Sequence, residues 1–195
     1  MARTPESRSE AWRVFPWDPD AAPRAPFSPG WVPPSQGQGR FDLPSTPGGV
    51  IYMAESPELA VAEMIQHYRG QTLDAADLRV AGRPLALARI TIDDELMAGV
   101  ADLCDAAVLS RLGIQPDETA SSNRRTTQRI AAQLYAAGHS GLRWWSALTG
   151  DWHTLVLFRD RTKTHLRFGP PEPLTLSHAA VIEATRALGI AMAHR

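Results

Sequence analysis

GRFDLPSTPGGVIYMAESPELAVAEMIQHY, residues Gly39 to Tyr68, is the stretch on which the rest of the chain turns. It puts Arg40 in a Pro/Gly-rich loop, Tyr52 near the end of a short apolar run, and Glu63 inside an amphipathic pattern. Val50-Ile51-Tyr52-Met53 follows two glycines and is β-branched and aromatic, which predicts a short buried strand. Ser56-Pro57-Glu58 predicts a helix start: Ser can cap free N–H groups, Pro fits the first helical position, and Glu favours the positive helix end. Leu59, Ala60, Ala62, Met64, Ile65 and Tyr68 then carry apolar contacts at the helical period. Glu63 falls mid-helix on the side of Leu59 and Ala60, where a carboxylate is expected to be partly desolvated.

Taken singly, these residues have ordinary readings. A helix Glu pairs with an Arg or faces solvent, a loop Arg is solvated, and a strand Tyr packs its ring in the core. Together around one strand-to-helix turn, they offer a guanidinium, an aromatic ring and a carboxylate to an anionic, sugar-containing ligand.

A length of 195 residues suits a single domain, residues 1–195, with enough chain for a real core. Hydrophobic content of 44% and charged content of 21% are those of a globular protein, and a net charge of −1 gives no global field towards nucleic acid or anionic membrane. An anion site must therefore be local. Cys104 is the single cysteine, which rules out an intramolecular disulfide and a multi-cysteine zinc site; its apolar-patterned run, Val100 to Leu112, predicts a small core residue. The six histidines form neither HxH nor HExxH, so no metal is expected. No run approaches the ~18 apolar residues of a membrane span, and the N-terminus lacks an apolar leader segment, so the expected location is cytoplasmic.

Residues 1–10 are polar and are expected to be flexible. Trp12-Arg13-Val14-Phe15 predicts a first strand, and the Pro/Gly-rich region 16–47 a binding loop ending at Arg40-Phe41. Gln71 to Arg83 reads as a connection with room for a helical turn, Leu85 to Ile92 as a strand, and Asp93-Asp94-Glu95 as a solvated turn. Ala101 to Leu112 has helical spacing and stops at Gly113; Asn123 or Thr126 starts another helix, which Gly138 ends. Ser140 to Trp145 and Thr154 to Phe158 read as a strand pair around Thr149-Gly150-Asp151, and Ser177 as the cap of a final helix. Arg124, Arg125 and Arg129 form a basic cluster best read as a solvated helix face. There is no regular βαβ repeat, no GxGxxG after a strand, no GxxxxGK[ST] and no GxSxG. Ser146 follows an apolar strand, so its hydroxyl could project from a strand end into a pocket.

Arg40, the Gly48-Gly49-Val50-Ile51-Tyr52 strand, the Ala54-Glu55-Ser56-Pro57-Glu58-Leu59-Ala60 helix start, Glu63, and Ser146 before Leu155-Val156-Leu157-Phe158 resemble the RES domain, in this order from about Trp12 to Phe158. The chain departs from the usual motif in two places. Arg40 is followed by Phe41-Asp42 where Trp-Asn is commoner, and Trp144-Trp145 precede Ser146 where Tyr-Pro is more usual.

The resemblance implies an α+β, ADP-ribosyltransferase-like fold of small mixed or antiparallel sheets with surrounding helices. It implies a toxin of a RES–Xre toxin–antitoxin pair that cleaves the nicotinamide–ribose bond of NAD⁺, by phosphorolysis or hydrolysis, with Arg40, Tyr52, Glu63 and Ser146 as the site. NAD⁺ would be the substrate and inorganic phosphate a co-substrate, with no resident cofactor. The implied partner is an Xre-like helix-turn-helix antitoxin that carries the DNA binding, with homodimerisation inside such a complex left open. The alternatives are ADP-ribosylation of a protein target and a non-catalytic interaction domain.

Overall fold

The computed structural model describes residues 8–33, 36–43, 49–162 and 164–193. The expectations for residues 1–7, for the Pro/Gly-rich residues 44–48 and for residues 34–35 lie outside these. The strands, in chain order, are β1 Arg8–Pro16, β2 Val50–Ala54, β3 Thr72–Leu73, β4 Arg79–Val80, β5 Arg83–Asp93, β6 Val100–Asp102, β7 Gly141–Trp145, β8 His153–Phe158, β9 Leu166–Phe168, β10 Glu172–Pro173 and β11 Ala191–Met192. The helices are α1 Pro57–Ile65, α2 Asp94–Ala98, α3 Ala106–Leu112, α4 Pro116–Ala120, α5 Arg124–Ala136, α6 Arg159–Thr162 and α7 Ala179–Leu188, with a 3₁₀ turn at Gln66–Tyr68. The fold is α+β, with parallel and antiparallel pairings both present.

The chain divides into two compact units: Met1–Glu10, Val32–Met53 and Thr91–Arg167 in the first, and Ala11–Trp31, Ala54–Ile90 and Phe168–Arg195 in the second. In the first, strands run in the order β2-β8-β7-β6. β7 and β8 are the antiparallel pair read from the sequence, in register Gly141↔Leu157 to Trp145↔His153. β6 adds on in parallel, Val100 opposite Gly141. Phe41, Leu43, Val50, Leu103, Leu109, Ile114, Ile130, Leu134, Leu142, Trp144, Val156 and Phe158 form the core on this sheet.

α5 closes that core because its sequence is amphipathic: Thr127, Ile130, Ala131 and Leu134 are buried at helical spacing. Asn123 starts it, its side chain accepting from the Arg125 N–H at 3.0 Å. The other end is held by Arg161, which donates to the Tyr135 carbonyl at 2.6 Å and to the His139 carbonyl. The guanidinium also stacks on the Tyr135 ring, 4.1 Å from its centroid.

The second unit pairs β5 with β1, β4 and β10, and β3 in parallel with β11. α1 packs on α7. Small buried residues on both helices, Ala60, Val61 and Ala62 against Ala180, Val181 and Ala184, suit close approach. Ser56 caps α1 as expected, accepting from the Leu59 N–H at 3.2 Å.

Several local readings are corrected. The stretch from Ala101 to Leu112 is not one helix: β6 runs to Asp102, and α3 begins only after Asp105, whose side chain accepts from the Ala107 N–H at 2.7 Å. Asp102 likewise takes the Cys104 N–H at 2.9 Å, so two short acids divert the chain from helix. Residues 71–83 hold β3 and β4, not a helical turn, and Asp94-Glu95 open α2 where a turn was expected. His178, not Ser177, caps α7, its ring nitrogen accepting from the Ala180 N–H at 3.2 Å.

Gly141 fixes how closely β7 and β8 approach. A Cβ at this position would collide with the Val156 carbonyl oxygen and lie 3.0 Å from the Leu157 Cα, both rigid backbone atoms. Gly141→Ala is expected to destabilise the protein by about 1–3 kcal/mol. Thermal melting checks this, at roughly 2–4 °C per kcal/mol for a chain of this size; an unshifted melt would mean that the ladder opens without cost.

Candidate functional site

In the first unit, residues 36–43 form an irregular but heavily bonded loop. Gln36 pairs with the backbone of Val50 in both directions, donating to its carbonyl at 2.8 Å and accepting from its N–H at 2.7 Å. Gln128 on α5 donates to the carbonyls of Gly37 and Gly39, each at 3.0 Å. The Thr127 hydroxyl donates to the Arg40 carbonyl. The loop is thus tied to β2 on one side and α5 on the other.

Asp42 is its hub. This carboxylate is 3% exposed. One oxygen accepts from the N–H groups of Gly37 and Gly39, at 2.6 and 2.7 Å, and the other from the Tyr52 hydroxyl at 2.9 Å. Tyr52 in turn accepts from the Phe41 N–H at 3.0 Å. A Cβ on Gly39 would strike the Asp42 carboxylate and lie 2.5 Å from the Tyr52 hydroxyl, so only glycine fits. Phe41 points into the core, fully buried and edge-on to Trp144 with ring centroids 5.1 Å apart.

Arg40 projects from this mount. Its Nη2 donates to the Thr119 carbonyl at 2.7 Å, and its guanidinium carbon lies 4.2 Å from the Trp144 ring centroid. Ser146 follows the end of β7 and is 5% exposed; its N–H donates to the Trp152 carbonyl at 2.7 Å and its hydroxyl accepts from the Leu148 N–H at 3.2 Å. Arg40 and Tyr52 are therefore joined through Phe41 and Asp42, and Ser146 lies two positions along the chain from the tryptophan under Arg40.

Glu63 belongs to the second unit. The expected partial desolvation does not hold: its side chain is exposed on α1, accepting from the Gln66 amide at 3.0 Å. The buried positions of α1 are Leu59, Ala60, Val61, Ala62 and Ile65, so the face that meets the core passes Glu63 by. Among the described residues no group of three or more His, Cys, Asp or Glu side chains is placed to hold a metal ion. Likewise, no described helix is long and apolar enough to cross a membrane.

Burial pushes the Tyr52 hydroxyl well above its ordinary 10.0, and the Asp42 charge adds to the rise. The bond from the Phe41 N–H and the Arg40 charge oppose it without reversing it. Tyr52 is thus a neutral hydrogen-bond donor, unsuited to act as a base. Because the folded value is raised, this group's contribution to stability is complete below about pH 10 and is lost as pH climbs beyond it, where the unfolded tyrosine ionises. Denaturant titrations across this range should show the wild type losing stability faster with pH than Tyr52→Phe; parallel curves would contradict the buried phenol.

The sequence marks Asp42 and Trp144 only as departures from the family motif, and it assigns no role to Thr119, Thr127 or Gln128. The spacing Gly37-x-Gly39-x-x-Asp42 was the available signal: two glycine N–H groups ahead of a short acid form a turn that an Asp carboxylate can close.

A search of the curated proteins finds no match. Among solved structures, the crystal structure of the M. tuberculosis MbcT-MbcA toxin-antitoxin complex contains a chain of similar fold, with a TM-score of 0.60 and 16% sequence identity over 94% of this chain and 91% of that one. Residues 10–177 match the RES domain, and with most of its length inside that match the chain belongs to the RES domain family.

Proposed function

We propose that this chain is the toxin of a toxin–antitoxin pair and that it cleaves the nicotinamide–ribose bond of NAD⁺, by phosphorolysis or by hydrolysis. The observation that carries this reading is the RES match over residues 10–177, which contains Arg40, Tyr52, Glu63 and Ser146. The likeness in fold to a chain of a toxin–antitoxin complex supports a partner protein, which we take to be an Xre-like helix-turn-helix antitoxin.

The chemistry asks little of an acid catalyst, because nicotinamide leaves as a neutral ring. The barrier lies in the oxocarbenium-like ribose that develops positive charge at C1′. A carboxylate meets that need, and Glu63 is assigned to it: it accepts from a ribose hydroxyl and stabilises the cation electrostatically. Arg40 is assigned to phosphate oxygens, of the diphosphate or of incoming inorganic phosphate, through its forked donors. Its mount favours this use, since the Thr119 carbonyl and the Trp144 face fix the guanidinium in place. Tyr52, with its hydroxyl committed to Asp42, is left to offer its ring to nicotinamide. Ser146 is assigned a hydrogen bond to ribose or phosphate.

Purified chain incubated with NAD⁺, with and without inorganic phosphate, should release nicotinamide together with ADP-ribose-1″-phosphate or ADP-ribose. Products attached to a protein in a lysate would instead identify a transferase, and intact NAD⁺ would refute the reading. Glu63→Gln should bind NAD⁺ yet turn it over at least 100-fold more slowly, the scale on which one preorganised electrostatic group acts. Wild-type nicotinamide release by that variant would remove Glu63 from the chemistry. Arg40→Ala should raise KM for NAD⁺ or phosphate, and unchanged values for both would remove the phosphate role.

A further inference from the structure

Trp144 is an expensive way to fill a core position. The residue is 8% exposed, and its indole N–H is buried without a hydrogen-bond partner. A buried donor with no acceptor is destabilising, and a phenyl or aliphatic side chain would fill the position without one. Packing alone therefore does not favour an indole here. What an indole does better than a phenyl ring is offer an electron-rich face to a cation, and the Arg40 guanidinium lies over that face at 4.2 Å.

Both departures from the usual RES motif meet at this point. Phe41, which follows the arginine, and Trp144, which precedes the serine, are in ring contact at 5.1 Å and 65°. The phenylalanine anchors the loop in the core while the tryptophan supplies the surface on which the neighbouring arginine lies.

We propose that Trp144 is the positioning residue for Arg40: with the Thr119 carbonyl it holds the guanidinium flat and in one orientation before any ligand arrives. The inference rests on the reading of Arg40 as the group that takes a phosphate of the substrate. Arginine loses considerable rotamer freedom when it orders on a ligand, and a guanidinium ordered in advance has less to lose. The effect belongs to binding, so it appears in KM and in product affinity and leaves kcat nearly unchanged.

The test has two arms. In the first, Trp144→Phe and Trp144→Leu are made in the wild type and in Arg40→Ala, and ADP-ribose affinity and NAD⁺ kinetics are measured for all. In the wild-type background Trp144→Leu is expected to weaken ADP-ribose binding and raise KM by about fivefold, the scale of one cation–π contact, and Trp144→Phe by less, because a phenyl face remains under the guanidinium. In Arg40→Ala neither should have any further effect, because the residue through which Trp144 acts is gone. Equal losses in both backgrounds, or a loss confined to kcat, would overturn the proposal.

The second arm needs no ligand. Arg40 side-chain protons over the indole face should be displaced upfield by the ring current in NMR spectra of the wild type. They should return to ordinary positions in Trp144→Leu while the remaining dispersed resonances persist. Arg40 resonances that ignore the substitution overturn the positioning role. If Trp144→Leu fails to fold, Trp144→Phe serves with a smaller displacement. Wild type that shows the ring-current shift but neither binds ADP-ribose nor consumes NAD⁺ would retain the mount and refute the proposed function, so the two failures are distinguishable.

Discussion

A carboxylate shut away from water dictates the organisation of the first unit around Arg40. Asp42, 3% exposed, exchanges hydration for two glycine N–H groups and one phenol. An ionised group in such a place is tolerated only while its acceptor sites are filled, and each missing donor would cost roughly 1–3 kcal/mol. That demand propagates. It requires glycine at 39, because a side chain there would occupy the space of the bond itself. It draws the loop onto β2 through Tyr52, and Gln128 of α5 takes the carbonyls that the same two glycines turn outward. The direction in which Arg40 leaves the loop is a consequence of these bonds.

What could be read in the sequence and what could not divide along a physical line. The start of α1 at Ser56, the amphipathic face of α5 and the β7–β8 hairpin all depend on neighbours within a few positions, and each is written in local pattern. β3 and β6 rest on parallel partners far along the chain: Thr72 opposite Ala191, and Val100 opposite Gly141. Nothing in a two- or three-residue strand announces such a partner, and so the helical spacing of Ala101 to Leu112 misled until Asp102 and Asp105 ended the strand and began the helix.

At the candidate site the same division holds. Arg40, Tyr52, Glu63 and Ser146 are singled out because their order and spacing resemble a family, not because single residues betray chemistry. Asp42 and Trp144 act through contacts spanning 10 and 104 positions, and side-chain contacts at such range leave no periodicity to detect. The error over Glu63 has a different origin. Its neighbours Leu59 and Ala60 are buried, but a glutamate four and three positions on sits at the margin of that stripe, and its long side chain carries the charge out to water.

That exposure bears on how a carboxylate at 63 could serve the proposed reaction. In water a charge on Glu63 is screened and would stabilise a nearby ribose cation only weakly; at about 4 Å the attraction is of order 1 kcal/mol at bulk dielectric and several times larger once the surroundings are protein-like. A carboxylate that is solvated in the ligand-free protein carries no standing desolvation cost. In the proposed reaction, the strength it lacks comes from the substrate, whose rings and riboses would displace water as they bind and strengthen the field of the charge. On the proposed reading, Arg40 and Glu63 divide the work by timing. The arginine is ordered in advance and acts on binding, whereas the glutamate becomes effective only after binding has excluded water from it.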